Sequence, residues 1–348
     1  MLLPANCQAV GVPYERLGRR LADAPSPTLS TLPDGSVDRY CQLSAGAVGP
    51  LETREALGRE LLRGDHSSFH IRVESTEPGG QAVNAAQQLH ALGSEVTCYG
   101  HLDAPVFAQL PFETVSMGEP ALVDAFNFRD SDVMFVEQAG LPAWTLEDLR
   151  DVATLPAVFD VDAVCCSNWI SFPHMGEAFH RLGTMDLPRV PFVFDPGDIV
   201  GSTPEEVDAL HDALTALQRT FDVVLNANRQ EVGALAGTLD AGADDADRLA
   251  AIRSATGIEA AVMHAPEEAI AVTTTQRARV ENCPVDQPRR HTGGGDHFTG
   301  GVGYALANGW DWDLALACGN VCASHYVTAG ETGTVEDVRR VSRTTADT

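Results

Sequence analysis

His291-Thr292-Gly293-Gly294-Gly295-Asp296-His297-Phe298 precedes an amphipathic segment that runs to about Asn308. Three glycines ahead of a helix leave the first-turn N–H groups uncovered, and those donors together with the positive helix end form a site for phosphate oxygens. A carboxylate beside such a site is electrostatically unfavourable unless it does chemistry. The chemistry open to Asp296 is to accept a proton from an attacking hydroxyl. The plainer alternative is an Asp that only complements the helix dipole.

Outward from this stretch, short apolar runs alternate with amphipathic ones. Val96–Gly100, Asp132–Val136, Ala163–Ser167, Val190–Asp195, Asp222–Asn226 and Ala260–His264 read as strands buried on both faces. Thr203-Pro204-Glu205-Glu206 is a capping box with proline at the first helical position, and Val207, Leu210, Leu214 and Leu217 form one face of the helix behind it. A second helix is expected from Gln81 to Leu92. The alternation predicts an α/β fold in which helices cover a mostly parallel sheet, and ligands in such sheets bind beyond the carboxyl ends of the strands. Gly35–Leu43 and Ser68–Ser75 break the pattern. They are expected to pair as a small β lid built from about residues 35–46 and 66–76, within one domain spanning 1–348. Ala24 to Pro33, rich in Pro and Ser, reads as irregular.

The 348 residues carry 49 carboxylates against 23 basic side chains, a formal charge of −26. A field of that sign repels nucleic acid and anionic membranes. No lysine is present, so a P-loop ending in Gly-Lys, a Schiff-base lysine and the strand lysine of protein kinases are all excluded. Acidic residues spread along the whole chain, with Arg in place of Lys, are expected of a protein kept hydrated in a high-salt cytoplasm, as in a halophile. The eight cysteines lack a Cys-x-x-Cys and read as reduced core residues. Neither a signal peptide nor an 18-residue apolar run is apparent, which predicts a cytoplasmic protein.

The glycine-rich stretch resembles the second signature of the PfkB sugar-kinase family, Asp-Thr-x-Gly-Ala-Gly-Asp-x-Phe, and matches it at Gly293, Gly295, Asp296 and Phe298, with Gly294 in place of alanine and Thr292 one place after the family's Thr. Gly79-Gly80-Gln81-Ala82-Val83-Asn84-Ala85-Ala86, continued by Leu89, Leu92 and Gly93, is similar to the first signature. Paired glycines let a substrate approach the backbone, and an Asn one turn into a helix offers a donor and an acceptor to hydroxyls. The resemblance implies a ribokinase-like three-layer α/β/α fold with a β lid. It also implies phosphoryl transfer from a nucleoside triphosphate, by default ATP, to a hydroxyl of a sugar. Asp296 would then be the catalytic base, with Gly293, Gly294 and Gly295 forming the anion hole. Gly79, Gly80, Asn84 and Asp38, with Asp34 second, would hold the substrate.

By the same resemblance Asn228-Arg229-Gln230-Glu231 matches an Asn-x-x-Glu motif. Asn228 and Thr292 would meet the nucleotide, Glu231 would organise Mg²⁺ through water, and Asn320 would reach the base or ribose. Two departures stand out. Arg290 replaces an Asp that helps hold a monovalent cation in relatives, and an arginine cannot ligate one. His264-Ala265-Pro266-Glu267-Glu268-Ala269 replaces the family's glycine-rich nucleotide loop, which leaves the phosphoryl donor open between ATP, ADP and others. Alternatives within the fold are a nucleoside kinase or a sugar-phosphate kinase, for which Arg72 on the lid would supply a cation. From another class comes a silent sugar or nucleotide sensor. Lids of this type pair between subunits, so a homodimer is plausible on the resemblance.

Overall fold

The computed structural model describes residues 11–346 except 47, 48, 66, 286 and 291. Fourteen strands appear among them: β1 Thr28–Leu32, β2 Ser36–Ala45, β3 Gly49–Pro50, β4 His70–Gly79, β5 Glu95–Gly100, β6 Glu113–Ser116, β7 Ala121–Asn127, β8 Asp132–Glu137, β9 Ala163–Ser167, β10 Pro191–Asp195, β11 Asp222–Asn228, β12 Ala260–His264, β13 Glu268–Thr273 and β14 Arg277–Glu281. Nine form one sheet in the order β14-β13-β12-β11-β10-β9-β1-β5-β6. Its members from β12 to β6 are parallel, while β13 and β14 add an antiparallel edge.

Helices cover both faces, as the alternating pattern requires. Gln81–Ala91, Gly294–Ala307 and Trp312–Ala329 bury one face around Leu29, Leu89, Val193 and Phe298. Met175–Leu182, Pro204–Leu217 and Asp245–Thr256 bury the other around Phe179, Phe192, Leu214 and Leu249. The Thr203 capping box forms with its partner Glu206, and the helix behind it begins at Pro204. The seven described cysteines are free and buried. No helix among the described residues is long and apolar enough to cross a membrane.

The second sheet is the expected lid, and it is larger than its two expected segments. β2 pairs with β4 antiparallel and with β7 parallel, β8 joins β7, and β3 closes a hairpin on β2. It has its own small core: Cys41, Leu43, Phe126 and Phe128 pack with Leu57 of the helix Arg54–Arg63. Alternation along β2 sends these apolar residues to the helix and leaves Asp38 and Tyr40 on the face lining the cleft.

Two readings of the sequence are corrected. Asp132–Val136 is no core strand but the lid's β8, where Met134, Phe135 and Val136 are 50–58% exposed. An apolar run does not say which sheet receives it. Ala24–Pro33 is not irregular throughout, because Thr28–Leu32 forms β1 in the middle of the large sheet. Its proline- and serine-rich flank hid four residues that are fully enclosed.

Candidate active site

From β1 the strand order runs one way through β5 and the other way through β9, so the adjoining connections diverge and a crevice opens beyond the carboxyl ends. A cleft of about 1250 Å³ lies there. Asp34 enters it after β1, Asn168 after β9, Asp195 at the end of β10, Asn228 at the end of β11 and His264 at the end of β12. The lid closes one side with Asp38, Tyr40, Val123 and Met134, and Gly293 to Asp296 supply another wall.

Gly293 is the N-cap of the Gly294–Ala307 helix with φ +85°, and no side chain caps that helix. A Cβ at 293 would meet Tyr326 at 2.8 Å, so glycine is required for both space and conformation. Asp296 sits in the uncapped first turn. Asn84 Nδ2 donates to its Oδ2 at 2.8 Å, and Gln81 Nε2 approaches its Oδ1 at 3.4 Å. Desolvation by burial pushes Asp296 up to about 7; the Asn84 bond opposes the rise, while the charges of Asp195 and Asp34 add to it. His297, the next residue, turns away: its ring stacks on Tyr326 with centroids 3.7 Å apart, and its nitrogens meet Gly293 O and Thr332 Oγ1.

At the lid end of the cleft, the two expected aspartates have different environments. Asp34, 3% exposed, accepts the backbone N–H groups of Gln81 and Ala82 at 3.0 and 2.7 Å and Asn168 Nδ2 at 3.0 Å. It caps the helix that carries Asn84, so it positions rather than offers free acceptors. Asp38 accepts only Ser36 Oγ among the hydrogen bonds observed, at 2.5 Å, and burial pushes it up to about 6. Gly79 makes room for it, since a Cβ there would lie 2.1 Å from Asp38 Oδ2. Gly80, at φ +100°, lets the backbone pass against Gly35.

At the opposite end, Asn228 and Glu231 form a reciprocal cap. Asn228 Oδ1 accepts the N–H groups of Gln230 and Glu231, and Glu231 Oε2 accepts the Asn228 N–H at 2.7 Å. Burial, then the Asp195 charge, pushes Glu231 up to about 8. No group of three or more His, Cys, Asp or Glu among the described residues is arranged as a metal cage. An all-oxygen wall that leaves most positions to water and phosphate suits Mg²⁺, which keeps several waters. Thr292 lines the cleft but gives its hydroxyl to Asp132 of the lid at 3.1 Å.

Two expected roles are not met. Asn320 is fully buried away from the cleft, where Nδ2 donates to Tyr14 Oη at 3.2 Å and to Val280 O at 3.3 Å. It ties the Trp312–Ala329 helix to β14, while Ala323, Ser324 and Val327 of that helix line the cleft instead. Arg72 points outward and pairs with Gln42 and Glu74, so it offers nothing to a phosphorylated substrate. Arg290 does reach the cleft. It lies 4.2 Å over the Tyr40 ring and pairs with Glu77 at 2.8 Å, joining the segment before the glycines to the lid.

The sequence reading also missed residues. Gln81 Nε2 stands 3.4 Å from both Asp195 Oδ1 and Asp296 Oδ1 and so lies between two like charges. Behind Asp195, Thr299 Oγ1 donates to its Oδ2, and Asn226 Nδ2 donates to Thr299. A polar Asn inside an apolar strand run was the one signal available for this network.

Known proteins resemble this chain in family and in fold. Residues 61–344 match the family described as prokaryotic ketohexokinase. A curated ketohexokinase from Haloferax volcanii is 30% identical over 334 residues, covering 88% of each chain. Among solved structures, the Arabidopsis thaliana ribokinase complexed with ribose and ATP aligns over 93% of this chain and 100% of its own, with 16% identity and a TM-score of 0.60. The Methanocaldococcus jannaschii nucleoside kinase, an archaeal member of the ribokinase family, aligns over 92% and 100% with 13% identity and a TM-score of 0.64. At those identities the structures speak for the fold alone, and the family match carries the activity. A ribokinase-like sheet, its lid and the matched residues together make this chain a carbohydrate kinase that belongs to the prokaryotic ketohexokinase family.

Proposed function

We propose that this cleft transfers the terminal phosphoryl group of ATP to a hydroxyl of a ketohexose, with Asp296 as the base. One observation carries the reading: Asp296 is held by Asn84 from the lid-side helix while its own backbone belongs to an uncapped helix start. Proton acceptor and anion hole are thus one residue. Asp38, Asn84 and the backbone at Gly79 and Gly80 hold the sugar under the lid. The attacking hydroxyl gives its proton to Asp296 as its oxygen bonds to the terminal phosphorus, the bridging oxygen leaves with ADP, and the N–H groups of Gly294 to Asp296 meet the developing charge. Glu231, with Asn228 beside it, would hold Mg²⁺ through water, and the ion would supply neutralisation of phosphate charge. The chain acts as a single domain with a lid, in the cytoplasm where nucleotides are available, and the lid sheet is where a homodimer would form.

The test is nucleotide- and magnesium-dependent phosphorylation across ketohexoses, aldoses, nucleosides and sugar phosphates. Transfer to a ketohexose well above the rest is the expected result; preference for a nucleoside, or sugar binding without transfer, overturns the assignment.

The pH dependence has a defined sign. Asp296, raised to about 7, is protonated and unable to accept a proton below that value. The pH profile of kcat/KM for the sugar should therefore fall on the acid side with a midpoint near 7. A profile flat from pH 5 upward would remove Asp296 from the role.

Arg290 carries a positive charge beside Tyr40 and Tyr326, at the position where the family pattern that this chain resembles has an Asp. Activity at fixed ionic strength is expected to be the same in potassium, sodium and tetramethylammonium salts. A saturable potassium requirement contradicts this.

A further inference from the structure

His264 stands at the carboxyl end of β12, where the family pattern has a glycine-rich loop. Its ring lies over Phe298 with centroids 5.1 Å apart, and it lines the cleft. Nδ1 is 3.2 Å from Asn226 Oδ1. The links behind it set the direction of that bond. Thr299 Oγ1 donates to Asp195 Oδ2 at 3.3 Å and so accepts from Asn226 Nδ2 at 2.7 Å. Asn226 Oδ1 is then the acceptor, and Nδ1 must carry the proton. Neutral His264 is left with a lone pair on Nε2, which has no hydrogen-bond partner among the described residues. That nitrogen lies toward Gly295, where a Cβ would come within 3.0 Å of it. Burial holds the ring's pKa down at about 4, so it is neutral in the free protein.

The charges around the ring come from every wall. Asp195 ends β10, Glu231 lies on the helix Arg229–Ala236, Glu267 on the turn after β12, and Asp296 on the glycine-led helix. Arg229 and Arg290, the arginines lining the cleft, are already paired, with Asp245 and Glu267 and with Glu77 respectively. An entering phosphate chain therefore meets backbone donors and carboxylates but no unpaired cation among the described residues. A phosphate oxygen set against an unprotonated Nε2 is repulsive; one shared proton turns the same contact into a charge-assisted hydrogen bond.

We propose that His264 binds the phosphate chain of the donor nucleotide through Nε2, taking one proton from solvent as the nucleotide enters and returning it on release. The proposal rests on the reading that those phosphates lie over Gly293 to Asp296. His264 thereby supplies the positive charge that a chain without lysine lacks at this wall.

The test uses the full chain labelled with ¹⁵N-histidine and titrated with Mg-ADP at roughly pH 8, where the phosphates are ionised and bring no proton of their own. The His264 ring nitrogens are assigned through their contacts with Phe298 and confirmed by their loss in His264→Gln. Nε2 is expected to move from the unprotonated to the protonated range as ADP saturates. In steady-state kinetics, His264→Gln should raise the KM for ATP by about 10–100-fold and leave that for the sugar within about 2-fold, the loss of a hydrogen bond to a charged group. If ADP binds and Nε2 stays unprotonated, His264 has no part in phosphate binding and the kinase reading stands. An unchanged KM for ATP in the variant has the same meaning. If ADP does not bind and no sugar is phosphorylated, both readings fall.

Discussion

Asp296→Asn is expected to lower kcat by about 10²–10⁴-fold while Mg-nucleotide binding stays within a few-fold of the parent. The amide keeps the size and the place of the carboxylate beside Asn84, and the uncapped backbone N–H groups proposed to meet phosphate are untouched. Only the proposed proton acceptor is lost. Single-turnover transfer and calorimetric ADP binding separate the two effects, and near-normal turnover would end the assignment. The same variant should unfold at a higher temperature than the parent at pH 8. Asp296 has its folded pKa raised to about 7, so its favourable contribution is complete only below its unfolded value and is lost as pH rises through 7. At pH 8 the parent carries a poorly solvated charge that the amide lacks; the difference in Tm should shrink toward pH 4. Activity and stability make opposite demands on this position.

Asp38→Ala is expected to lower kcat/KM for the sugar by about 10²–10³-fold with the KM for ATP nearly unchanged, because the substrate hydroxyls proposed to donate to this carboxylate lose a charged acceptor. Gly79→Ala should mimic it although it removes no functional group. The Cβ it adds would lie 2.1–2.5 Å from all three carboxyl atoms of Asp38, so the carboxylate or the strand must move. Because Gly79 pairs with Ser36 across β2 and β4, the displacement reaches the residue that donates to Asp38. Initial-rate kinetics with each substrate varied in turn reads both variants. A sugar KM unchanged in Asp38→Ala would place the acceptor elsewhere in the cleft. Asp34→Ala should differ in kind: Asp34 caps the helix of Gln81 and Asn84, so its loss should lower stability as well as activity.

Much of the site was legible because its requirements are local. Gly293 and Gly80 adopt positive φ, a demand that one residue type meets and that shows directly in the chain. Asn228 and Glu231 cap one helix from within four residues, so their spacing reads as a helix start, and only the family resemblance marks them as part of the site. The lid was legible for the same reason in part: β2 and β4 each alternate, although β7 and β8 were not seen to join them. Asn320 is the opposite case. A polar residue in an apolar helix reads as a site, yet here its amide donates to the Val280 and Glu281 carbonyls of β14 and so has a packing partner instead of a ligand.

By itself the sequence determined an α/β sheet with its cleft beyond the strand ends, a lysine-free, glycine-led helix start with a carboxylate in its first turn, and two segments able to pair as a lid, while the choice of Asp38 came from the family resemblance. The first three follow from periodicity, composition or a backbone conformation confined to a few neighbouring residues. Only the tertiary structure decided which polar groups serve the site: that Asn84 holds Asp296 from 212 residues away, that Asp34 is spent on a helix cap, that β8 belongs to the lid and that His264 turns toward Gly295. Hydrogen-bond partners and packing neighbours so distant along the chain leave no spacing to read, because they exist only once the sheet order has brought the strand ends together.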